Sequence, residues 1–256
     1  MWPRIGPVPT YSILYIAGLI SHFVVGYHIA KKLGLRHRIW IVVSICYMVG
    51  MTFGAKALYD IQHGQFDLQA LSSTKHYLKG GLWGGLLAYL VLAAPLAFIF
   101  AKRKRAALDL VALSIPIPWI FAKIGCLLNG CCYGKASSLP WAITFPETAR
   151  GAPAGIPLHP TQVYEILIMV GVLVVFKILK RERWQGTMLL WFLILYGLGR
   201  AVTDLCRGDL EHDVCIGPLT LSQLLCLIAA GISIIVLYFW SCIDSGDKLD
   251  SKITIG

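Results

Sequence analysis

Four short clusters of polar residues interrupt an otherwise apolar chain, and the clearest of them consists of Arg200, Asp204 and Arg207. Spacings of four and three residues place all three on one face of a helix. Asp204 would orient both guanidinium groups, and a guanidinium binds phosphate through two parallel hydrogen bonds. Since charges at the end of an apolar helix are costly, this face indicates an anion site. The alternative is a salt bridge that only locks helices together.

The second cluster is the segment 123–135, in which glycines alternate with polar residues. Gly134 and the two glycines before it permit an irregular backbone that approaches a ligand closely. Lys123 and Lys135 supply positive charge, and Asn129 supplies a neutral donor and acceptor. The segment therefore indicates a polar ligand site. The alternative is a helix end whose lysines reach toward water.

The third cluster opens an apolar stretch and contains His159, Gln162, Tyr164 and Glu165. The unperturbed pKa of histidine lies near neutrality, so His159 is a candidate for proton transfer. A carboxylate at the boundary of an apolar stretch is costly without a partner, so Glu165 requires one. The cluster indicates either a binding site or a helix start with a structural pair between Glu165 and a cation.

The fourth cluster precedes another apolar stretch and contains His76 and Lys79. Both side chains accept a proton if their surroundings tune the pKa, although His76 is equally well read as an exposed polar residue. Tyr11 opens the first apolar stretch and would bring a phenol to the same level. The alternative for Tyr11 is an aromatic residue at a membrane interface.

The elements that must position these clusters are membrane spans. The chain has 256 residues, 57% of them hydrophobic and 14% charged, with a mean hydropathy of +0.70. This composition excludes an ordinary soluble enzyme, a disordered chain and a small disulfide-rich protein. A helical span needs about 20 apolar residues. We predict an all-α membrane protein with seven spans at 11–30, 39–57, 82–101, 108–128, 161–179, 186–204 and 219–240. A glycine cluster at the start of the third span lets helix backbones approach closely, and Pro116 and Pro118 are expected to kink the fourth span.

The distribution of basic residues predicts how the spans are oriented, because cytoplasmic loops carry an excess of Lys and Arg. With seven spans, 14 of the 23 basic residues fall on one side: Lys31, Lys32, Arg36, Arg38, Lys102, Arg103, Lys104, Arg105, Lys177, Lys180, Arg181, Arg183, Lys248 and Lys252. The N-terminus is then outside and the C-terminus cytoplasmic. The other nine lie on or near the outer side, where an anion such as a phospholipid headgroup would account for them: Arg4, Lys56, Lys75, Lys79, Lys123, Lys135, Arg150, Arg200 and Arg207.

All four clusters then lie at the outer side of a single integral membrane domain that we expect to cover 1–256. Outer arms are expected at 56–81 and 129–160, and a cytoplasmic tail at 241–256.

Eight cysteines divide between the outer side and the spans. The outer ones are Cys126, Cys131, Cys132, Cys206 and Cys215, and the others are Cys46, Cys226 and Cys242. In an oxidising periplasm the outer cysteines form disulfides if they pair, but the sequence leaves the connectivity open. No metal site is predicted, because no C-x2-C pair faces a second ligand pair. The inner cysteines are expected to pack between helices.

The clusters, in this order and spacing, resemble the prolipoprotein diacylglyceryl transferase family. The resemblance runs from Tyr11 to about Trp240. Its most specific parts are the Gly80–Gly81–Leu82 sequence, the segments 123–135 and 159–165, the Arg200/Asp204/Arg207 face and the Ser222–Gln223 pair. It implies a bacterial inner-membrane enzyme with seven helices and an outer N-terminus. Such an enzyme moves the diacylglyceryl group of phosphatidylglycerol to the thiol of a lipobox cysteine in a prolipoprotein, and glycerol phosphate leaves.

The resemblance also assigns roles to individual positions. Arg200 matches a family arginine that is needed for activity and lies near the headgroup. Asp204 matches an acidic position that is usually Glu, and Arg207 matches a second arginine. Gly134 matches an essential glycine of the family, Asn129 matches an asparagine, and Tyr11 matches an essential tyrosine. The predicted catalytic residues are Lys79, His76, His159, Arg200, Arg207 and Asp204. The predicted substrate-binding residues are Tyr11, Lys123, Asn129, Gly134, Gln162, Tyr164, Glu165 and Gln223.

Four departures from the family pattern mark a divergent, cysteine-containing branch. Lys79 stands where the family has a histidine that is a proposed base, and Lys123 where it has an arginine. Cys126 and Cys131 stand at an asparagine and a glutamate position. Lysine retains the charge of arginine but loses its bidentate fork.

The expected mechanism follows from these residues. Arg200, Arg207 and Lys123 would stabilise the phosphate as the bond to the glycerol carbon breaks, since stabilising developing charge is usually the largest catalytic effect. A base, one of Lys79, His76 and His159, would deprotonate the incoming thiol.

Phosphatidylglycerol, or a similar anionic phospholipid, and a prolipoprotein signal peptide are the expected partners. No nucleic acid, cofactor or metal is expected. The alternatives are a lipid-modifying enzyme with another donor or acceptor and a non-catalytic lipid- or lipoprotein-binding protein. A thiol-redox protein that uses Cys131 and Cys132, and a transporter, also remain open.

Overall fold

A computed structural model describes residues 4–5, 8–62, 82–149, 151–179, 186–209 and 215–253. Helices dominate these residues, and the three strand pairs are all short antiparallel connections. The helices are α1 (Thr10–Lys32), α2 (His37–Val49), α3 (Ala55–Gln62), α4 (Leu82–Phe100), α5 (Lys104–Leu113), α6 (Pro116–Asn129), α7 (Thr161–Ile178), α8 (Thr187–Leu205) and α9 (Leu221–Ile253). The strands are β1 (Arg4–Ile5), β2 (Val8–Pro9), β3 (Ile143–Thr144), β4 (Pro157–Leu158), β5 (Cys215–Ile216) and β6 (Leu219–Thr220).

Among the described residues, seven helical segments are long and apolar enough to cross a membrane, as many as the sequence predicted. They are Thr10–Lys32, His37–Leu58, Leu82–Phe100, Lys104–Asn129, Thr161–Ile178, Thr187–Leu205 and Leu221–Trp240. Each overlaps the corresponding predicted stretch almost completely. Helix α1 packs along α6, α8 packs along α9, and α6 contacts α7, which in turn contacts α8. The spans that carry Tyr11, Lys123, Glu165 and Arg200 therefore contact one another in that order.

The second and third spans approach each other closely through glycines, as the glycine cluster before span 3 predicted. A π-helical turn, Gly50–Gly54, joins α2 to α3 within one span. A side-chain carbon added at Gly84 would lie 2.8 Å from the carbonyl oxygen of Gly54. Gly85 faces the Met51 backbone in the same way. The small residues therefore allow backbone contact that any larger residue would prevent.

The fourth span is interrupted between α5 and α6, as its two prolines predicted. Helix α5 ends at Leu113, and α6 restarts at Pro116. The interruption leaves the carbonyl of Ser114 free to accept a hydrogen bond from the His22 ring at 3.2 Å. The Tyr89 hydroxyl lies 3.1 Å from the Ser114 hydroxyl. Polar groups freed by the break are thus satisfied by neighbouring spans.

Connections between spans meet at one end of the bundle, and these are the connections rich in Lys and Arg. Arg103 donates a hydrogen bond to the Leu33 carbonyl at 2.9 Å, so the span 3–4 connection contacts the span 1–2 connection. Arg105 lies 4.8 Å from the centre of the Trp240 ring near the end of span 7. Asp109 accepts hydrogen bonds from the backbone at the start of α8. The predicted basic side is therefore one physical end of the molecule.

The opposite end carries the segment between α6 and α7, one of the two predicted outer arms. Strands β3 and β4 pair within it, and Phe145, Ala152 and Leu158 form a small apolar cluster of their own. The other predicted arm, 56–81, falls outside the described residues from position 63 onward. His76 and Lys79, two of the three candidate bases, therefore lie outside the described residues.

Candidate active site at the end opposite the basic connections

Glu165 lies at the centre of a buried group of charges. Its Oε1 accepts hydrogen bonds from Lys123 Nζ at 2.7 Å and from Arg200 Nη1 at 2.6 Å. Its Oε2 accepts a third from the indole of Trp119 at 3.1 Å. The side chains of Glu165, Lys123 and Arg200 are at most 3% exposed. One carboxylate thus joins α6, α7 and α8.

Asp204 forms the second half of this group. Its Oδ1 lies 3.0 Å from Arg200 Nη2 and 3.8 Å from Arg207 Nη1. Its Oδ2 accepts a 2.7 Å hydrogen bond from the Ser222 hydroxyl. Asp204 therefore lies between the two arginines, as the helical spacing predicted. We call Lys123, Glu165, Arg200, Asp204 and Arg207 the ion centre.

Each cation of the ion centre has a carboxylate partner. Arg207 also pairs with Asp209 through two hydrogen bonds of 2.9 Å. Pairing is expected here, because an isolated buried charge is very costly. Buried polar atoms without a hydrogen-bond partner among the described residues nevertheless include Arg200 Nε, Asp204 Oδ1 and Gln162 Oε1. The Arg207 side chain is the most exposed of the three cations, at 11%.

Gly134 allows the outer loops to come together. Its amide donates to the His159 carbonyl at 3.0 Å, and the next amide, of Lys135, donates to the Cys206 carbonyl at 2.8 Å. A side-chain carbon at Gly134 would lie 2.5 Å from the His159 carbonyl oxygen and 2.8 Å from that of Cys206. These contacts give Gly134 a positioning role. Its predicted contact with substrate stays a prediction.

His159 and Tyr164 form a half-exposed pair beside the ion centre. His159 Nδ1 lies 3.1 Å from the Tyr164 hydroxyl, which also accepts a 2.9 Å hydrogen bond from the Trp141 indole. Trp141 is 56% exposed. These contacts give His159 a phenol as its hydrogen-bond partner rather than a carboxylate. They do not test whether His159 is the base, which stays a prediction.

Gln162 and Gln223 join backbone segments. Gln162 Nε2 donates to the Cys131 carbonyl at 2.7 Å. Gln223 Oε1 accepts the Thr220 amide, and its Nε2 donates to the Ala201 carbonyl. Both amides thus hold loops or helix ends in place, and their direct contact with substrate stays a prediction.

Three thiols lie next to the ion centre. The sulfur atoms of Cys126, Cys131 and Cys132 all lie within 4.8 Å of one another. Asn129 Nδ2 donates to Cys131 Sγ at 3.6 Å. The pKa of Cys132 lies well below its ordinary value, because the thiols of Cys126 and Cys131 donate hydrogen bonds to its thiolate and the charges of Lys123 and Arg207 stabilise it. All three are free thiols in the described structure.

Tyr11 completes this side of the site. It is partly buried and packs against the core at the start of α1. Gly125 provides the space, since a side-chain carbon there would lie 3.2 Å from the Tyr11 ring. The tyrosine is therefore seated next to the helix that carries Lys123, and its role in substrate binding stays a prediction.

Three side chains of the site have no role assigned from the sequence, although Ser222 is part of the family resemblance. Trp119 lies one helical turn before Lys123 and shares its partner Glu165. Ser222 bonds Asp204, and Trp141 bonds Tyr164. Position i−4 on the same helix was an available signal for Trp119. The C-x2-C criterion missed the thiol cluster, because Cys126 reaches the Cys131–Cys132 pair only when the chain turns after α6.

Comparison with known proteins identifies relatives over nearly the whole chain. The sequence model of the family described as prolipoprotein diacylglyceryl transferase matches residues 3–240. A phosphatidylglycerol–prolipoprotein diacylglyceryl transferase of Clostridium tetani is 29% identical over 88% of this chain and 90% of the relative. Proteins of the same name from Finegoldia magna and Desulfotalea psychrophila are 27% and 29% identical. The former alignment covers 93% of this chain and 94% of the relative, and the latter 92% and 90%.

Proposed function

This chain belongs to the prolipoprotein diacylglyceryl transferase family, and on that premise we propose that it transfers a diacylglyceryl group from phosphatidylglycerol to a lipobox cysteine. The thiol sulfur forms a bond to the glyceryl carbon, and the bond from that carbon to the phosphate oxygen breaks. Glycerol phosphate leaves with the proton of the thiol. The family match over residues 3–240, with relatives that bear this name, is the observation that carries the proposal.

The active site faces the outer side of a bacterial inner membrane in this proposal. The positive-inside rule supports that orientation, because the basic connections meet at the other end of the bundle. The N-terminus is then outside and the segment 241–256 cytoplasmic. A phospholipid would enter between helices with its phosphate level with the ion centre.

Arg207 is the first contact for the phosphate in this mechanism. It is the most exposed cation of the ion centre, and it lies at the C-terminal end of α8, beyond the apolar span. Arg200 Nε, a buried donor without a partner among the described residues, supplies the second contact. Asp204 holds both guanidinium groups from behind, so the donors are oriented before the lipid arrives. Preorganised donors of this kind stabilise developing charge most effectively.

Lys123 acts through Glu165 and through its own charge. Its ammonium donates a hydrogen bond to that carboxylate, at 2.7 Å, and is almost completely buried. Together with Arg200 it keeps Glu165 ionised and in place. Lys123 stands where the family has an arginine. Its single positive charge pairs with one oxygen of Glu165. The proton acceptor for the thiol remains among Lys79, His76 and His159.

A reconstituted assay tests this function. The full-length protein in vesicles receives a lipobox peptide and one phospholipid at a time, and both peptide lipidation and glycerol phosphate release are measured. We expect both products with phosphatidylglycerol, and a loss of about 100-fold or more in rate for Arg200→Ala, the size seen when one preorganised donor is removed. Arg105→Ala, which removes an exposed arginine at the opposite end, should retain the wild-type rate.

Two outcomes would contradict the proposal. Folded protein that transfers nothing from phosphatidylglycerol but is active with another lipid would assign a different donor. Folded protein that binds the lipid but transfers nothing would show that the protein is a lipid-binding protein and not a transferase.

A further inference from the structure

The outer end of the bundle holds a cluster of three sulfur atoms that the transfer mechanism does not use. Cys126 Sγ and Cys132 Sγ are 3.9 Å apart, and Cys131 Sγ lies within 4.8 Å of both. Cys126 is in the last turn of α6, and the other two follow the helix after Gly130. Three thiols at these distances are too far apart for a disulfide, whose sulfurs are about 2 Å apart.

The backbone conformation brings the side chains of the adjacent residues Cys131 and Cys132 to the same side of the chain. In an extended chain, successive side chains point to opposite sides. Cys132 instead has a φ of 58°, and it is the only positive value among the described non-glycine residues. Such a conformation is unfavourable for a residue with a Cβ atom and persists only when surrounding contacts hold it. Here the Thr161 hydroxyl and the Gln162 amide bond the carbonyls of Cys132 and Cys131 and fix the turn.

The spacing of the sulfurs matches that of ligands around one metal ion. A zinc–sulfur bond is about 2.3 Å, so two sulfurs of a tetrahedral site are about 3.8 Å apart. The Cys126–Cys132 distance is 3.9 Å. Thiolates select soft cations such as Zn²⁺ and Cu⁺ rather than Mg²⁺ or Ca²⁺. We propose that Cys126, Cys131 and Cys132 form a binding site for a thiophilic metal ion of the Zn²⁺ class.

The charges around the cluster favour such a complex. Three thiolates and one Zn²⁺ carry a net charge of −1. The positive charges of Lys123 and Arg207 act on Cys132 and would stabilise this anionic complex. Asn129 donates a hydrogen bond to Cys131 Sγ, which orients that ligand as outer-shell partners do in metal sites.

Three protein ligands leave the fourth position of a tetrahedral ion open. Building on the proposed transferase function, we infer that the acceptor thiol of the lipobox cysteine occupies that position. A thiol that coordinates zinc loses its proton, here to water, and becomes the thiolate that transfer requires. The sulfur then bonds to the glyceryl carbon as the phosphate oxygen leaves with the electron pair. This arrangement would perform the task that the family histidine replaced by Lys79 is proposed to perform.

Cobalt(II) is a suitable probe, because its sulfur-to-cobalt charge-transfer absorption reports thiolate ligands. Full-length reduced protein in detergent would be loaded with Co²⁺, passed through a desalting column and measured for bound metal and absorption. We expect about one ion per chain, with displacement of the absorption by Zn²⁺. A parallel titration with Cu⁺ decides which soft ion the site prefers. Cys131→Ser and Cys132→Ser should abolish the charge-transfer band, and Cys46→Ser, which removes a buried thiol from span 2, should retain it.

A measurement on the unmutated protein guards against variants that do not fold. Zn²⁺ should protect Cys131 and Cys132 from alkylation, mapped by mass spectrometry, while the labelling of Cys206 stays unchanged. Reduced protein that binds neither cobalt nor zinc would overturn the proposal. A disulfide between two of the three cysteines in protein isolated without reductant would assign the cluster to redox chemistry instead.

The acceptor role has its own test. A cysteine-containing lipobox peptide should shift the cobalt spectrum, and the same peptide with serine should not. A spectrum unchanged by the cysteine peptide would overturn the role of the open position. Transfer by metal-free protein would overturn the catalytic role of the metal, and the transferase function would still hold. Metal binding without transfer from any lipid would refute the transferase function and leave the metal site standing.

Discussion

Buried carboxylates lie near both ends of the bundle, and two of them, Asp109 and Glu165, have different kinds of partner. Asp109 is completely buried in α5 and accepts 3.0 Å hydrogen bonds from the backbone amides of Gly186 and Met188. Glu165 is equally buried in α7 but is bonded by the side chains of Lys123, Arg200 and Trp119. Asp109 and Lys123 lie on the same span, about 20 Å apart along its axis.

The difference separates a structural carboxylate from a functional one. Asp109 binds amides at the start of α8 that have no partner within the helix, so it acts as a cap supplied by another span. No cation among the described residues forms an ion pair with Asp109. Glu165 instead bonds two cations, Lys123 and Arg200, and the charge of Lys123 also acts on the thiol of Cys132. A buried carboxylate that accepts hydrogen bonds from backbone amides stabilises the fold. A buried carboxylate that binds several cations holds them in place for binding an anion.

Glu165→Gln is expected to have the largest effect. The amide leaves Lys123 and Arg200 buried without a full counter-charge, and breaking a buried pair from one side costs about 3–5 kcal/mol. We expect a clear fall in the thermal unfolding midpoint, measured by tryptophan fluorescence in detergent, together with a loss of transfer activity. An unfolding midpoint and an activity like those of the unmutated protein would show that the ion centre does not depend on Glu165.

Asp109→Asn should have an intermediate effect, and on stability alone. The asparagine keeps one acceptor oxygen but turns an NH₂ group toward a backbone donor, which costs about 1–3 kcal/mol for one unsatisfied buried pair. The unfolding midpoint should fall, while the transfer rate per folded molecule should match that of the unmutated protein. A reduced rate in folded protein would contradict the structural role assigned to Asp109.

Ser222→Ala should have the smallest effect. It removes one hydroxyl donor from Asp204 but leaves both arginine contacts in place. A hydrogen bond to a charged group contributes at least about 1.5 kcal/mol, so we expect a decrease of about ten-fold in transfer rate and little change in the unfolding midpoint. Ser233→Ala is a matched control, because the Ser233 hydroxyl bonds only to a carbonyl within its own helix. Equal rates for the two variants would remove Ser222 from the site.

Much of the fold follows from the sequence. Seven apolar stretches predicted seven helices, since about 20 apolar residues are needed to cross the hydrocarbon and the backbone must satisfy its own hydrogen bonds there. The break in the fourth span followed from its prolines, and the close contact of spans 2 and 3 from glycines. The pairing of Arg200 with Asp204 also followed, because a spacing of four residues is a local property of one helix.

Only the tertiary structure decided which groups from different helices meet. Glu165 pairs with Lys123 and Arg200, which are 42 and 35 residues away, and the sequence predicted a partner for it without naming one. Cys126 joins Cys131 and Cys132 through a turn with a positive φ, which no spacing rule anticipates. Helical periodicity fixes the face on which a residue lies, but the rotation and depth of one helix against another depend on packing along the whole contact. The chemistry between helices is therefore set by the assembled bundle.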